Sequence, residues 1–447
     1  MYSTIYRHAK RLFSPAERGK QRLERELEHT QWLSRSELES WQLARIQRLL
    51  KYSYEHVPFY RERYRREGIQ PEDIKSLADF RALPSLTRED VNNHLDELVS
   101  SDFGGHLHRG KTGGSTGQPM RFYYEDAWNH WDSAYRRRGR GWYSVRDGDK
   151  EAWIWGTGRD PATWSRKQRF KARLRRRRYA NARNMSEARM QEFAAMLVRW
   201  QPTMFRAYPS ALALFADFVK VQRISGIRPR LVETTAETLT APQRQLLEEV
   251  FPCPVINYYS SRELGTIAYP CEMGGLHVCE TRYLELLADN KPAAPGHVGE
   301  IVLTSLHQYA MPLIRYKIGD LAVYEPDSCL CKRGMPVLRE IVGRTNDAVV
   351  TADGLWVHSG FFSSRFLERP QIIRYQVYQP DRQHLEVRLV CKHRANNTWS
   401  EELRSEIQAH FGQSMKIDIQ LVDHIELTPA GKHRFIVSDV THDAGSV

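Results

Sequence analysis

The segment TGGSTGQP, residues 112–119, crowds glycine and hydroxyl side chains into one short stretch and precedes an apolar, aromatic run. Glycines allow several backbone N–H groups to converge on an anion, and hydroxyl groups add further donors. The segment is not a Walker A loop, because Gln118 and Pro119 follow its last glycine in place of lysine and a hydroxyl residue. Taken alone, it predicts a phosphate-binding loop or a plain turn equally well.

The composition around this segment is that of a globular protein with a basic balance. The chain has 447 residues, of which 41% are hydrophobic and 27% are charged, so we expect two or three structural units with a large core. The net charge of +12 favours polyanionic partners such as nucleotides, coenzyme A, nucleic acid or acidic membranes, without choosing among them.

The sequence has neither of the two usual signals for membrane insertion or export. It contains no run of about 18 apolar residues, and its N-terminus lacks the apolar centre of a secretion signal. We therefore expect a cytoplasmic protein without a transmembrane helix. Peripheral membrane contact and the oligomeric state, a dimer included, stay open at this point.

Strand-like and helical patterns alternate through the middle of the chain. EAWIWG (151–156) and PVINYYSS (254–261) are typical of buried strands, and residues 187–200 are typical of a helix. This alternation predicts an α/β domain with a largely parallel sheet, followed by a more β-rich region over residues 283–340.

The pattern changes near residue 343. A loop there leads into a hairpin with its turn at Asp353 and Gly354, and strands and one helix follow. This pattern is typical of a small α+β unit. We predict a large N-terminal domain over residues 1–343 and a small C-terminal domain over residues 344–447.

Six segments together resemble the adenylate-forming superfamily. TGGSTGQP resembles its Ser/Thr/Gly-rich phosphate loop, and the order of the other five matches its adenine-pocket segment, Tyr-Gly-x-x-Glu motif, Gly-Asp motif, hinge and C-terminal lysine loop. These segments are TAETLT (235–240), YYSSRELG (258–265), RYKIGD (315–320), VGRTND (342–347) and LTPAGKHR (427–434). Six matches in the right order are far more specific than any one of them.

Two further segments narrow the resemblance to one branch of that superfamily. LLKYSYEHVPFYRERYRREGI (49–69) and FRAYPSALALFADF (205–218) are similar to signatures of the phenylacetate–coenzyme A ligases and of the CapK-like proteins associated with capsular polysaccharide genes. The resemblance implies a large α/β domain carrying a β-rich subdomain, and a small mobile α+β domain.

The resemblance also implies an ATP-dependent ligase. A carboxylate would attack ATP to give an acyl-adenylate and pyrophosphate, and the acyl group would then pass to coenzyme A. The CapK likeness leaves open an amine acceptor, which would give an amide in polysaccharide or natural-product synthesis. A third interpretation is a non-catalytic protein that binds nucleic acid or a membrane surface, but the intact Glu263, Asp320 and Lys432 argue against a degenerate scaffold.

The matched motifs assign roles to single residues. Glu263 stands where the superfamily has the acidic residue that engages Mg²⁺, and carboxylate oxygen suits this hard cation. Asp320 would accept hydrogen bonds from the ribose hydroxyls, and Arg344 would contact ribose or phosphate. Lys432 would reach the α-phosphate as a compact positive charge. The residues matched to the contacts with the β- and γ-phosphates are Thr112, Gly113, Gly114, Ser115, Thr116 and Gly117.

The adenine pocket matches two of the motifs. Tyr259 would stack on the base, while Ser260 replaces a glycine that is common in the family. A second departure is Asn346, which stands where many relatives have the hinge aspartate and puts the details of domain rotation in doubt. The residues assigned to the nucleotide pocket are Ala236, Glu237, Tyr258, Tyr259 and Ser260.

Aromatic residues near these motifs are candidates for the acid-binding pocket. Aromatic walls suit an aryl or lipid-like acid, although aromatic side chains also fill protein cores. The candidates are Trp153, Trp155, Tyr208, Pro209 and Ser210, with Tyr258 beside them.

The cysteines predict a metal site. Six cysteines in a large chain without a secretion signal argue against a disulfide framework. Zinc takes four thiolate and imidazole ligands, and YPCEMGGLHVCE with SCLCKRG offers Cys271, His277, Cys329 and Cys331, with Cys279 as a competing ligand. Some relatives show a similar pattern. Such a zinc would be structural, because protein fills all four positions; free thiols are the alternative.

RKQRFKARLRRRR, residues 166–178, is the densest basic run of the chain. It indicates either a solvated surface or a phosphate-binding or membrane-facing patch, and coenzyme A phosphates are one candidate ligand. No recognised nucleic-acid-binding motif accompanies the run, so we expect no nucleic-acid partner.

Overall fold

The computed structural model describes most of the chain. Its described residues are 6, 14–112, 120–156, 164–325, 327–344, 348–351, 356–358, 361–362, 365–366, 369, 371–391, 398–427 and 433–440. Several predicted features lie outside these residues: Gly113, Gly114, Ser115, Thr116 and Gly117, the hinge residues Asn346 and Asp347, the turn at Asp353 and Gly354, and Lys432.

Helices and strands alternate along the described residues, and the strands predicted at 151–156 and 254–261 and the helix predicted over 187–200 are confirmed. The helices are α1 (Pro15–Thr30), α2 (Arg35–His56), α3 (Pro58–Glu67), α4 (Leu77–Ala82), α5 (Arg88–Asn93), α6 (Asp126–Trp142), α7 (Arg166–Leu174), α8 (Glu187–Trp200), α9 (Pro209–Val221), α10 (Ala241–Val250) and α11 (Thr398–Phe411). The strands are β1 (Leu107–Lys111), β2 (Arg121–Glu125), β3 (Glu151–Trp155), β4 (Arg177–Asn181), β5 (Met204–Ala207), β6 (Leu231–Thr235), β7 (Val255–Ser261), β8 (Gly265–Pro270), β9 (Leu276–Val278), β10 (Arg282–Ala288), β11 (Lys291–Pro292), β12 (Val298–Ser305), β13 (Tyr316–Tyr324), β14 (Val337–Arg344), β15 (Ala348–Val350), β16 (Trp356–His358), β17 (Ile372–Asp381), β18 (His384–Cys391), β19 (Lys416–Leu421) and β20 (Ile436–Ser438).

Twelve of the described strands form one continuous sheet. Their order is β11-β10-β12-β13-β14-β9-β8-β7-β6-β5-β3-β4. The strands β4, β3, β5, β6 and β7 are parallel, and the remaining pairs beyond β7 are antiparallel. The predicted parallel domain and the predicted β-rich region are therefore two halves of a single sheet that meet at β7.

The parallel half has one apolar and one charged face. Successive side chains of a strand point to opposite faces of the sheet, and on β5 Phe205 and Ala207 lie in the hydrophobic core that includes residues of α8 and α9. Arg206, between them, lies on the face covered by α6, where Arg140 binds Glu233 of β6. Arg206 of this charged layer contacts Trp153 and Trp155, two residues of the predicted acid-binding pocket.

The glycine-rich segment joins the two strands of a hairpin. β1 and β2 are antiparallel, with Lys111 opposite Arg121. The Thr112 N–H donates to the Met120 carbonyl at 2.9 Å. The two ends of the segment, Thr112 and Met120, are thus held side by side.

A separate core occupies the C-terminal part of the chain. Its sheet has the order β19-β18-β17-β20. Leu403 and Ile407 of α11 share a hydrophobic cluster with Tyr375 and Val377 of β17 and with Val349 of β15. Strand β14 belongs to the large sheet to its end at Arg344. The domain limit between residues 343 and 344 stays a prediction.

In the part of the chain that the structure describes, no helix is both long and apolar enough to cross a membrane. Helix α2, with 22 residues, is amphipathic. Its buried side chains include Leu38, Ile46 and Leu49. The cytoplasmic location stays a prediction.

Candidate active site

Three predicted nucleotide contacts from separate motifs, on strands β7, β13 and β14, lie close together in the large sheet. The Tyr259 hydroxyl donates to the Asp320 carboxylate at 2.5 Å. Asp320 lies directly opposite Arg344 in the antiparallel pair β13–β14, and its side chain is buried. An aromatic ring, a carboxylate and the backbone of a basic residue therefore lie next to one another, although they come from distant parts of the sequence.

Glu263 lies in the turn between β7 and β8, shortly after Tyr259 in the sequence. Its carbonyl accepts hydrogen bonds from the Trp128 indole at 3.0 Å and from the Gln308 side chain at 3.1 Å. The turn closes through Gly265, which has a φ of +72°; a Cβ there would lie 3.0 Å from Asp132 Oδ1. The backbone that carries the Glu263 carboxylate is thus tightly fixed.

Two arginine side chains form hydrogen bonds with Lys111 and Thr112, where the glycine-rich segment begins. The Thr112 hydroxyl accepts a hydrogen bond from Arg88 at 2.6 Å and one from the Met120 N–H at 3.0 Å. Arg262, the neighbour of Glu263, donates to the Lys111 carbonyl at 3.1 Å. The motif that carries Glu263 therefore contacts the strand that leads into the loop.

The adenine-pocket segment begins with an unusual backbone conformation. Ala236, which follows β6, has a φ of +73°, a left-handed value that costs energy for a residue with a Cβ. Just before it, the Thr235 hydroxyl donates to the Tyr258 carbonyl at 2.9 Å and lies 3.1 Å from the Ser260 hydroxyl. These bonds hold the ends of β6 and β7 in register.

Glu237 accepts hydrogen bonds both from the large N-terminal part of the chain and from its C-terminal part. One carboxylate oxygen accepts a hydrogen bond from the backbone N–H of Ser210, in the first turn of α9, at 3.0 Å. The other accepts one from the backbone N–H of His433 at 3.2 Å. His433 directly follows the predicted catalytic Lys432 in sequence. The Glu237 carboxylate therefore binds the C-terminal segment close to the end of β6 in the large sheet.

The predicted aromatic walls contact one another. The ring centroids of Trp155 and Tyr208 are 4.5 Å apart, and those of Trp153 and Trp155 are 5.9 Å apart. Pro209 and Ser210 begin the helix that follows Tyr208. The structure thus brings the predicted wall residues together at the carboxyl ends of β3 and β5.

Arg206 lies among these rings and was not predicted as part of the pocket. Only 6% of it is exposed, and its guanidinium carbon lies 4.7 Å from the ring centroid of Trp153 and 5.4 Å from those of Trp155 and Tyr258. Its guanidinium also donates to the Tyr258 hydroxyl. The sequence signal that could have revealed it is a lone arginine in the otherwise apolar strand Met204–Ala207.

Beneath Arg206, Glu233 is a fully buried counter-ion. It accepts two hydrogen bonds from Arg140, both at 2.8 Å, and one from the Tyr269 hydroxyl at 2.8 Å. Burial alone would raise the pKa of Glu233, but the charge of Arg140 and its hydrogen bond lower this pKa to about 2. Glu233 therefore stays ionised at any working pH and offsets part of the charge of Arg206.

The four predicted zinc ligands form a compact cluster. The ligand atoms of Cys271, His277, Cys329 and Cys331 all lie within 4.8 Å of one another. The Cys271 and Cys329 sulfurs are 3.5 Å apart, and the Cys331 sulfur is 3.1 Å from His277 Nε2. Burial lowers the pKa of His277 to about 4, so its imidazole is neutral and able to bind a metal.

Glycines shape the turns around this cluster. A Cβ on Gly275 would lie 2.8 Å from the Cys329 sulfur, so only glycine lets the two turns approach. A Cβ on Gly334 would lie 1.7 Å from the Leu33 carbonyl oxygen, and the Gly334 N–H donates to the Gln31 carbonyl at 3.0 Å. The cluster is thus packed directly against the end of α1.

Cys279, the competing ligand, does not join the cluster. It is buried against Leu27 and Tyr135 in a separate apolar group. Burial raises the pKa of its thiol far above the usual range. We therefore assign Cys279 to the core.

Comparisons with known sequences give matches to the same groups of proteins that the motifs resemble. A sequence model of the CapK C-terminal domain matches residues 349–439. Protein CapK of Staphylococcus aureus is 25% identical over 410 residues, which cover 89% of each chain. The phenylacetate–coenzyme A ligase of Thermus thermophilus is 26% identical over 363 residues and covers 77% of this chain and 79% of its own.

The fold has close counterparts among solved structures. A structure of 2-hydroxyisobutyryl-CoA ligase in the postadenylation state, in complex with R3-HIB-AMP, superposes with a TM-score of 0.74 at 20% identity, covering 92% of this chain and 91% of its own. This likeness confirms the predicted fold class, a large α/β domain with a small C-terminal domain. The chain is therefore similar in sequence to protein CapK and to phenylacetate–coenzyme A ligases, as its motifs predict, and it has the fold of 2-hydroxyisobutyryl-CoA ligase.

Proposed function

We propose that the protein is an ATP-dependent ligase that activates a carboxylic acid as an acyl-adenylate and then transfers the acyl group to coenzyme A. The observation that carries the proposal is the meeting of Tyr259, Asp320 and the backbone of Arg344 within the large sheet. All three match nucleotide contacts of the superfamily. The relatives named phenylacetate–coenzyme A ligase support the choice of acceptor.

In the first half-reaction, a carboxylate oxygen of the acid attacks the α-phosphorus of ATP, and the bond to the β-phosphate oxygen breaks to release pyrophosphate. Asp320 binds the ribose hydroxyls and Tyr259 stacks on the adenine, which fixes the α-phosphorus in position. Lys432 places positive charge beside the phosphate oxygens as negative charge builds on them. The Glu263 carboxylate is a suitable donor for Mg²⁺, which would neutralise the phosphates when bound.

In the second half-reaction, the sulfur of coenzyme A attacks the acyl carbonyl, its proton passes to solvent, and AMP leaves. An amine acceptor would give an amide and AMP by the same displacement. The second candidate is favoured by one observation, the match to protein CapK over 89% of the chain. The aromatic rings around Arg206 suit an aryl acid or an acid with a polar group.

A pyrophosphate-release assay over a panel of carboxylic acids tests this function. We expect release with at least one acid and ATP, acyl-hydroxamate formation with hydroxylamine, and a thioester when coenzyme A is added. Asp320→Ala should raise the KM for ATP about tenfold or more, because a ribose contact is lost. An amide as the sole product would favour the second candidate, and no release with any acid would reject both.

Glu237 should matter for adenylation more than for thioester formation. Glu237→Ala removes the acceptor for the His433 and Ser210 N–H groups, so we expect pyrophosphate release to fall about tenfold. Thioester formation from a supplied acyl-adenylate should change less than about twofold, because the lid rotates between the half-reactions. Thr238→Ala, at the exposed neighbouring position, is the matched control. Equal losses in both half-reactions would contradict this role.

We also propose that the Cys271, His277, Cys329 and Cys331 cluster binds a structural zinc ion. Three thiols and one neutral imidazole are the donors that tetrahedral zinc prefers, and their atoms lie close enough to share one ion. Cys329 and Cys331 lie in the turn before β14, and His277 lies opposite Val337 of β14. The ion would therefore fix the strand that ends at Arg344.

A further inference from the structure

We propose that helix α7 docks the protein on an anionic membrane surface, a property beyond the proposed ligase activity. No residue of α7 is buried, although the structure describes the whole helix. The stretch of sequence over residues 161–186, which contains the helix, has no aspartate or glutamate. An exposed helix within a stretch of sequence whose charged residues are all basic is matched by a surface of negative charge.

The apolar side chains of α7 point away from the protein. Phe170 is 68% exposed and Leu174 is 50% exposed, and their spacing places them one turn apart on the same face. Ala172, on the opposite face at 100° per residue, is the least exposed residue of the helix. The helix therefore contacts the protein through its Ala172 side and presents Phe170 and Leu174 to the surroundings.

Basic side chains border this apolar pair on both sides. At 100° per residue, Lys167 and Lys171 lie on one flank of Phe170, and Arg169 and Arg173 lie on the other. All four are exposed. An apolar stripe between two rows of cations is the pattern by which an interfacial helix inserts apolar side chains between lipids while its charges bind the headgroups.

Helix α7 is too short to be stable by itself. It has 9 residues, and isolated helices of this length are marginal in water because most helical stability comes from packing of the apolar face. A capping box supports its start, in which the Ser165 N–H donates to the Gln168 side chain at 2.8 Å and the Gln168 N–H donates to the Ser165 hydroxyl at 3.3 Å. A surface that covers Phe170 and Leu174 would supply the missing packing.

The two ends of the basic run have different roles. Arg177, in β4, donates to the Glu151 carboxylate at 3.1 Å, and Arg178 lies over the Trp200 ring. These two arginines contact the folded sheet and its neighbours, whereas Phe170 and Leu174 of α7 are exposed. Nucleic acid would be bound by the cations alone, but it gives no partner to Leu174, so the apolar pair favours lipid.

Vesicle flotation with the full-length chain tests the proposal. We expect the protein to float with phosphatidylcholine vesicles that contain about a third phosphatidylglycerol at about 0.1 M salt, and to stay behind with pure phosphatidylcholine. The double variant F170S/L174S should bind about tenfold or more weakly, because two inserted apolar side chains are lost. Lys171→Glu should weaken binding by about fivefold or more.

Val221→Ser is the matched control, because Val221 is exposed to the same extent, 68%, on α9. It should leave vesicle binding unchanged, and thermal melting of each variant checks that the fold is retained. Equal binding of wild type to neutral and anionic vesicles, or unchanged binding of F170S/L174S, would overturn the proposal. RNA that displaces the protein from vesicles while binding F170S/L174S as tightly as wild type would also overturn it, in favour of a nucleic-acid surface.

Discussion

Replacement of Lys432 by alanine should reduce acyl-adenylate formation by about a hundredfold or more while ATP binding changes little. Negative charge builds on the phosphate oxygens as the carboxylate attacks, and a positioned cation stabilises that charge more than it stabilises bound ATP. Lys432 lies outside the described residues, so its role follows from its motif. The hydrogen bond from the adjacent His433 to Glu237 supports a position of this segment near the predicted nucleotide pocket, to which Glu237 is assigned.

Pyrophosphate release under saturating acid and ATP measures this effect, and equilibrium binding of a non-hydrolysable ATP analogue separates it from a binding defect. Lys416→Ala is a suitable control, because Lys416 is an exposed lysine of the same C-terminal unit that pairs with Asp418. It should retain full activity. A Lys432→Ala protein that forms adenylate at the wild-type rate would show that the C-terminal loop has been assigned wrongly.

Loss of the zinc site should have the largest effect on stability. Purified protein should contain one zinc ion per chain, and Cys329→Ser should contain none and melt about 5 °C or more below wild type. The reason is that the ion would link the segment that carries Cys271 and His277 to the turn that carries Cys329 and Cys331. A chelator should lower the melting temperature of wild type in the same direction.

Elemental analysis together with thermal melting tests this prediction. Cys391→Ser is the control, because Cys391 lies in the C-terminal unit outside the cluster. It should keep the zinc and melt close to wild type. Wild-type protein without zinc, or a Cys329→Ser protein with normal zinc content, would contradict the assignment.

The metal cluster and the contact between Tyr259 and Asp320 are predicted from two different kinds of sequence information. The four cluster residues fall in two short segments of the sequence with a recognisable spacing, so their meeting needs little knowledge of the fold. Tyr259 and Asp320 meet through strands β7 and β13, which are separated in the sheet by β8, β9 and β14. Their contact is predictable only through the motifs, since no local pattern indicates which strand ends come together.

Other contacts could not be read from the sequence. Arg206 is surrounded by side chains from β3, β6 and β7, and the register of these strands is set by packing of the whole sheet. The bond between Glu237 and His433 depends on how the C-terminal unit sits on the large sheet. The Thr112 hydroxyl is engaged by Arg88, a residue of a helix that precedes the loop by a long stretch of chain.

The packing of Gly334 against Leu33 limits how the chain can be shortened. The Arg138 guanidinium donates to the Leu27 carbonyl at 3.0 Å, and Thr30 donates to the fully buried Glu280 at 3.0 Å. A truncation that begins after α1 would strip partners from these buried groups and open one side of the metal-binding turns. The first helices are thus part of the minimal folding unit, and fragments designed for crystallisation or screening must retain them.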